Sequence, residues 1–149
     1  MKKAQLVTKT FFLSFVLAGQ VEFERFTIDD GLSQNTVYET FQDSRGYLWM
    51  GTQGGLDRFN GYEFKQYEHE SNDSLSITDG WIRCLKEDED GRLWLGTRDG
   101  NFGWFDPYGE IGGKIDLYEN HPGINRPERI EDIFFHKDYI FLATIGSGL

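Results

Sequence analysis

The densest group of side chains that could perform acid–base chemistry is the run Glu-Asp-Glu-Asp at residues 87–90. A glycoside hydrolase needs two carboxylates at a fixed separation, so a carbohydrate-active enzyme is one hypothesis for this chain. The run precedes Gly91 at a predicted hairpin, and we interpret it as a solvated turn. Asp88 and Asp90 also begin a weak calcium-loop pattern, but Trp94 and its neighbours occupy the region where the ligating Glu is needed.

Histidine and cysteine add no second candidate for chemistry. The histidines are far apart in sequence and do not form a zinc spacing such as H-E-x-x-H; they are His69, His121 and His136. The one cysteine, Cys84, lies in an apolar predicted strand, where we expect a buried thiol that acts as a small hydrophobic side chain. The sequence thus predicts no catalytic residue, no metal site and no cofactor.

A ten-residue motif that occurs twice indicates how the chain folds. Residues 43–52 and 88–97 share the pattern D-x-x-G-x-L-W-x-G-T. A period of 40–50 residues is typical of one four-stranded blade of a β-propeller. The sequence therefore predicts an all-β chain that forms an incomplete β-propeller of about two and a half blades. The three repeats are predicted at about 36–68, 81–118 and 129–149.

Each residue type in the motif has a structural role. The aspartate accepts hydrogen bonds from turn amides, and the first glycine allows a positive φ. The tryptophan fills the space between blades, and its indole N–H needs a polar partner. The second glycine leaves room for a neighbouring backbone. These structural positions, with the threonine that ends the motif, are Asp43, Gly46, Trp49, Gly51 and Thr52 in the first repeat and Asp88, Gly91, Trp94, Gly96 and Thr97 in the second.

Strands are predicted where runs of β-formers lie between glycine-containing turns. The last strand of the second blade is predicted at 114–118, and an extended segment is predicted at 23–28, before the first blade. We expect Trp49 and Trp94 to occupy equivalent, mostly buried positions. The third repeat departs from the motif. Phe135 replaces the turn Asp, Asp138 the turn Gly, Phe141 the Trp and Ala143 the second Gly.

The first 20 residues have the pattern of an export signal. Lys2 and Lys3 precede an apolar stretch at 11–18, which is too short to span a bilayer. A bacterial lipoprotein box would require Cys where Gln20 stands, so we expect cleavage and no lipid anchor. The sequence therefore predicts a signal peptide at residues 1–20 and a periplasmic location.

Length and charge limit the other possibilities. A closed propeller needs at least four blades, and the third repeat stops inside its own motif at Leu149. We therefore expect residues 21–149 to be the N-terminal part of a propeller in a longer protein, with a truncated gene product as the alternative. The net charge of −10 disfavours nucleic acid and anionic lipid as partners. No segment after residue 20 has transmembrane character.

The repeat resembles the two-component regulator propeller repeat, which occurs in periplasmic sensor regions of hybrid two-component system histidine kinases, mainly of Bacteroidetes-type bacteria. The resemblance covers roughly residues 22–149. It begins with Phe-Thr-Ile-Asp-Asp-Gly-Leu-Ser at 26–33. The matching positions of the first repeat are Asp43, Gly46, Leu48, Trp49, Gly51, Thr52, Gly55, Leu56, Asp57, Arg58 and Phe59.

The resemblance implies a seven-bladed propeller, usually one of two, followed by a Y_Y_Y-type β-sandwich, a transmembrane helix and cytoplasmic kinase, receiver and DNA-binding regions. It also implies sensing of oligosaccharides for signal transduction. The expected partners are thus an oligosaccharide, the remaining blades and the downstream kinase region of a longer protein. The family's phosphorylated His and Asp have no counterpart here, and its ligand contacts follow no motif that can be transferred.

Three classes of function therefore stand side by side: a sensor module that binds a ligand, a protein-interaction scaffold, and a fragment of a carbohydrate-active propeller enzyme. Aromatic residues make up 16% of the chain, which suits sugar stacking, although most occupy repeat positions that packing explains. Two long polar connections, at 69–80 and 119–128, are the loops where we expect a ligand to bind if binding occurs within these repeats.

Overall fold

The computed structural model describes residues 22–119, 123 and 125–148. Within these residues the regular structure is ten β-strands and one short 3-10 helix, Ile28–Asp30. The predicted signal peptide, His121 and part of the 119–128 connection lie outside the described residues. No helix in the described part of the chain is long and apolar enough to cross a membrane.

The strands form two four-stranded antiparallel sheets and one two-stranded sheet. The first sheet, in spatial order, is β1 (Val37–Gln42), β2 (Leu48–Thr52), β3 (Leu56–Phe59) and β4 (Phe64–Tyr67). The second is β5 (Ile82–Glu87), β6 (Leu93–Thr97), β7 (Phe102–Asp106) and β8 (Ile111–Ile115). The third is β9 (Arg129–His136) and β10 (Tyr139–Ile145). The predicted all-β class is confirmed.

The sheets are arranged side by side as propeller blades. The first strand of each sheet packs on the first strand of the next, so that β1, β5 and β9 are successive inner strands. Side chains between the first and second sheets form the larger core, in which Trp49, Ile77 and Phe105 are fully buried. A second core between the second and third sheets contains Cys84 and Ile130.

The same register defines each repeat. The inner strand pairs with the end of the second strand through an aliphatic residue and a threonine, and a bulge follows at once. The aliphatic–threonine pairs are Val37 with Thr52, Ile82 with Thr97 and Ile130 with Thr144. Because the bulge recurs at one position, equivalent residues in the three repeats can be read directly from the strand pairing.

This register corrects our alignment of the third hairpin. His136, and not Phe135, stands where the first two repeats have the turn aspartate, since it pairs with Tyr139 across a turn one residue shorter. In this tighter turn Lys137 takes the left-handed conformation, with φ 53°, that a glycine takes in the other two. Phe141 does align with the motif tryptophan, and Ala143 with the second glycine.

Two further predictions about strands were wrong in part. The fourth strand of the second blade is Ile111–Ile115 rather than 114–118. The sequence Gly112-Gly113 reads as a turn, but a side chain at Gly113 would meet the Trp104 ring at 2.7 Å, so this glycine lets an aromatic ring lie on the strand. In the segment 23–28, Thr27 is extended, but Ile28 already begins the 3-10 helix, which Thr27 and Asp30 cap.

The second motif glycine is where one sheet touches the next. A Cβ built on Gly51 would lie 3.0 Å from Ile82 Cγ2, and one built on Gly96 would lie 2.7 Å from Ile130 Cγ2 and would overlap the Cys84 sulfur. Both aliphatic contacts come from the inner strand of the following sheet. The glycine therefore sets how closely two sheets approach.

We predict that Gly96→Ala lowers the free energy of unfolding by about 1–3 kcal/mol, because the added methyl overpacks a site closed on two sides. Gly51→Ala should cost less, since only Ile82 has to move. Gly123→Ala, where nothing lies within 4 Å, is the control. Urea unfolding of the three variants measures the effect, and equal stability of Gly96→Ala and Gly123→Ala would contradict the close approach.

Candidate functional site

The aspartate and the tryptophan of the motif are bonded to each other. Asp43 Oδ2 accepts a hydrogen bond from Trp49 Nε1 at 2.8 Å, while Asp43 Oδ1 accepts from the amides of Arg45 and Tyr47. Asp88 repeats this arrangement, with Trp94 Nε1 at 2.8 Å. One carboxylate thus fixes the turn and satisfies the indole N–H, a link that the sequence analysis did not make.

The two tryptophans occupy equivalent positions, as expected, but they are not equally buried. Trp49 is fully buried, with Tyr67 of its own sheet and Phe105 of the next around it. Trp94 stays partly exposed, because the third sheet has only two strands in the described residues and offers Phe135 alone as an aromatic neighbour from that sheet. The outer strands of the second sheet cover the Trp49 ring, whereas no such strands cover Trp94 in the described residues.

A buried carboxylate joins the segment before β1 to the first sheet. Asp57, fully buried, accepts from the Ser33 hydroxyl at 2.6 Å and from the Ser33 amide, and the same hydroxyl lies 2.8 Å from Thr52 Oγ1. No cation accompanies Asp57 in the described residues. Burial raises the pKa of Asp57, an effect that outweighs the hydrogen bonds from Ser33.

Two ends of the sheets must be distinguished to locate a binding surface. We call one of them the loop end. At this end the inner strand of each sheet begins and the second strand ends, and the connections 68–81 and 116–128 reach β5 and β9 there. The β1–β2 and β5–β6 turns lie at the opposite, hairpin end. The hairpin end carries the repeated aspartates, whereas at the loop end the residues that flank the aliphatic residue of each inner strand differ from repeat to repeat.

At the loop end, stacked aromatic and arginine side chains cross the three sheets. The Arg98 guanidinium carbon lies 4.1 Å from the Trp81 ring centroid, and the Trp81 ring lies 5.9 Å from that of Tyr38. Arg83 follows, 4.6 Å from Tyr38, and donates to Glu131 of the third sheet at 2.9 Å. We call this row, Arg98–Trp81–Tyr38–Arg83–Glu131, the loop-end ladder.

Local bonds hold the centre of the ladder in place. Asp79 accepts from the Trp81 amide at 3.2 Å and from Asn101 Nδ2 at 2.6 Å. The Arg98 amide donates to the Trp81 carbonyl at 3.1 Å. Trp81 Nε1 is buried without a hydrogen-bond partner among the described residues. An unpaired buried donor costs stability, so packing alone does not account for a tryptophan at this position.

A cavity of 220 Å³ adjoins the ladder between the second and third sheets. Two arginines, two acids and one aliphatic residue line it: Arg98, Asp99, Glu128, Arg129 and Ile145. Arg98 begins the ladder, and Arg129 contacts Glu131 at its other end. The cavity and the ladder therefore form one continuous surface of aromatic faces and planar charged groups, which is the candidate binding site.

The residues with the most obvious chemistry lie elsewhere. Asp88 holds its turn, and Glu87 accepts from the Ser44 amide and hydroxyl at 2.8 Å across to the first sheet. His69 Nδ1 contacts the Ile77 carbonyl at 2.7 Å, and His136 is exposed. Burial raises the pKa of the Cys84 thiol to about 12. Within the described residues, no group of His, Cys, Asp or Glu is placed to hold a metal ion.

Comparison with known proteins supports the family resemblance of the repeat. The family model for the two-component regulator propeller matches residues 31–54 and 76–99. Each matched stretch contains one copy of the ten-residue motif. The matched stretches begin at Gly31 and Ser76. Both residues precede the inner strands at which our predicted repeats begin.

Two known proteins share parts of this chain. Histidine kinase P4 of Formosa agariphila is 48% identical over 56 residues, which are 38% of this chain and 4% of that protein. A structure described as the extracellular domain of a hybrid two-component system from B. thetaiotaomicron matches with a TM-score of 0.68 and 24% identity, over 81% of this chain and 17% of that chain. The second match establishes the propeller-type fold. This chain spans only a small part of either protein.

The extended repeat boundaries explain the segment before each inner strand. Leu32 and Ile77 take the same place in the two stretches that the family model matches, and both are buried. Ser33 corresponds to Thr78, and Asp57 to Gly103 in the strand pairing. Thr78 packs on Gly103, and its hydroxyl is buried without a partner among the described residues. The Ser33–Asp57 contact therefore belongs to the first repeat and not to the second.

A comparison of the repeats within the sequence would have found the ladder. The aliphatic residue that pairs with the threonine in each inner strand is flanked by residues that differ between repeats. Trp81 and Arg129 are equivalent, as are Tyr38, Arg83 and Glu131. The candidate site is built from positions that vary between repeats, so the motif of recurring residues does not reveal it. His121 and its neighbours in the 119–128 connection lie outside the described residues.

We predict that Asp43→Ala lowers the free energy of unfolding by about 2–3 kcal/mol, because it leaves the buried Trp49 N–H unpaired and releases two turn amides. Asp88→Ala should cost less, since water can reach the partly exposed Trp94. Urea unfolding measures both. In a double-mutant cycle, Trp49→Phe should reduce the cost of Asp43→Ala, and strict additivity would mean that the Asp–Trp bond contributes little.

We also predict a pH-dependent effect of Asp57→Asn. Because the pKa of Asp57 is raised above its ordinary 3.8 in the fold, its contribution to stability is greatest at low pH and falls as pH rises through the folded-state pKa. The stability of Asp57→Asn relative to the natural chain should therefore increase between about pH 3 and pH 7. Paired urea titrations across this range test it, and a relative decrease would show that the folded-state pKa is lowered.

Proposed function

We propose that this chain is part of the ligand-binding sensor region of a hybrid two-component system and that an oligosaccharide binds at the loop end. The repeat family and the structural neighbour support the sensor role. We choose this surface because the loop-end ladder and the 220 Å³ cavity share Arg98 and so adjoin each other. The neighbour is an extracellular domain, which supports a periplasmic or extracellular location.

The chemistry of the surface suits a sugar. A pyranose has apolar C–H faces and hydroxyl edges, so it matches a site with aromatic rings beside fixed polar groups. Trp81 is connected to the cavity through Arg98, which stacks on its ring and lines the cavity. Arginine and carboxylate side chains in the lining can donate to and accept from hydroxyl groups. The cavity is smaller than the roughly 300–1,000 Å³ of a drug-sized pocket, so we expect it to take a single sugar unit.

We propose binding rather than catalysis. The two acids with the most defined contacts in the run 87–90 are Glu87, which links two sheets, and Asp88, which fixes a turn. These contacts give both acids structural roles at the hairpin end. The acids of the cavity, Asp99 and Glu128, lie beside arginines, where they can orient hydroxyl groups.

Trp81→Ala should weaken oligosaccharide binding about tenfold or more, because it removes the ring on which Arg98 rests and a stacking surface. A panel of neutral and acidic oligosaccharides screened against the intact protein identifies a binder, whose affinity is then measured by calorimetry. The matched control is Trp104→Ala, because Trp104 carries Arg92 at 4.4 Å away from the loop end. Melting temperatures of both variants show that they remain folded.

Two outcomes would contradict the proposal. If no oligosaccharide binds the intact protein, the sensor ligand is of another class. If an oligosaccharide binds but Trp81→Ala and Trp104→Ala change its affinity equally, the site does not lie at the loop end.

A further inference from the structure

Arg98 has an exposed side chain whose donors are not used in an ion pair among the described residues. This side chain stacks on Trp81, with 4.1 Å between the guanidinium carbon and the ring centroid. A guanidinium held flat on a ring keeps its five N–H donors at its edges, in the geometry that matches the two oxygens of a carboxylate or sulfate. Stacking therefore orients the group without using its donors.

The other two arginines of the surface share one acid. Arg83 and Arg129 both contact Glu131, so a single carboxylate serves two guanidinium groups. One unit of positive charge is left over there, in addition to that of Arg98. The cavity lining itself holds two arginines and two acids, so it is neutral, whereas the whole chain has a net charge of −10.

The acids in the lining restrict the kind of anion. Asp99 and Glu128 border the same cavity and would repel a bare inorganic anion. They are good acceptors for hydroxyl groups, however. The combination suits a molecule that carries one anionic group and several hydroxyls, and it disfavours simple sulfate or phosphate.

We propose that the cavity between the second and third sheets binds the carboxylate or sulfate of an acidic sugar unit, with Arg98 as its principal contact. The proposal deepens the proposed function and rests on it, since it specifies the class of oligosaccharide at the same surface. Arg129 lies across the cavity as a second donor, and Asp99 and Glu128 accept the sugar hydroxyls.

The test uses oligosaccharide pairs that differ only in charge. One pair is a galacturonic acid trimer and the same trimer with its carboxylates reduced to alcohols; a second is a galactose trimer with and without a sulfate. A glycan array that presents further matched pairs of this kind extends the comparison, and calorimetry with the intact protein gives affinities. We expect the acidic member of at least one pair to bind at least tenfold more tightly, with an affinity that falls as salt is added.

The variants isolate Arg98. Arg98→Gln should abolish the preference for the acidic member, and Arg98→Lys should retain part of it, since lysine keeps the charge but not the planar fork. The control is Arg92→Gln, which removes an exposed arginine stacked at 4.4 Å on Trp104, away from this cavity, and should leave binding unchanged. Inorganic sulfate alone should compete only weakly.

The possible failures are distinguishable. Equal binding of neutral and acidic members, or an acidic preference that survives Arg98→Gln, overturns the assignment of Arg98 and leaves the proposed oligosaccharide function intact. Binding of sulfate as tight as that of the acidic sugar overturns the requirement for hydroxyl groups. No binding of any saccharide overturns both this inference and the proposed function.

Discussion

The bond between a turn aspartate and a tryptophan indole is the contact on which the first two sheets depend. In the first repeat, one carboxylate oxygen holds two turn amides and the other holds Trp49 at 2.8 Å. The turn is thereby fixed relative to the ring, and the ring is fixed relative to the neighbouring sheet. Because the ring is fully buried, its N–H would otherwise be unpaired. Local turn geometry and packing between sheets are therefore set by one group.

The repeat separates the positions that build the sheets from those that give the surface its chemistry. The aspartate, the tryptophan and the glycine recur in the first two repeats, because they fix the turn and the approach of the next sheet. The positions on either side of the aliphatic residue of the inner strand differ between repeats, and there the chain places Tyr38, Trp81 and Arg83. The chemistry of the loop end can thus vary while the motif stays the same.

Much of the fold could be predicted from the sequence, and the reason is physical. The motif D-x-x-G-x-L-W-x-G-T contains a turn, a strand and the residues of an interface between sheets. Two copies therefore predict two sheets that pack against each other. The errors lie where a residue acts outside its usual preference. Gly113 continues a strand because Trp104 lies over it, and Lys137 adopts a left-handed conformation in a turn shortened by one residue.

The candidate site could not be predicted in the same way. Its members are distant in sequence, and Arg98 and Glu131 meet the same surface only because successive inner strands run side by side. No local pattern signals that Arg98 stacks on Trp81, and acid-rich stretches such as 87–90 attract attention first. Only a comparison of equivalent positions across the repeats, which requires the correct register and its bulge, would reveal the variable positions that meet at the loop end.

The loop-end ladder has a mechanical consequence. Its members come from three different sheets: Tyr38 from the first, Trp81 and Arg83 from the second, and Glu131 from the third. Its hydrogen bond and stacked pairs last only while the groups stay within contact distance. A shift of one sheet against the next therefore changes the contacts of the row. Conversely, displacing one member of the row would remove a contact between two sheets, so the row couples events at this surface to the angle between neighbouring blades.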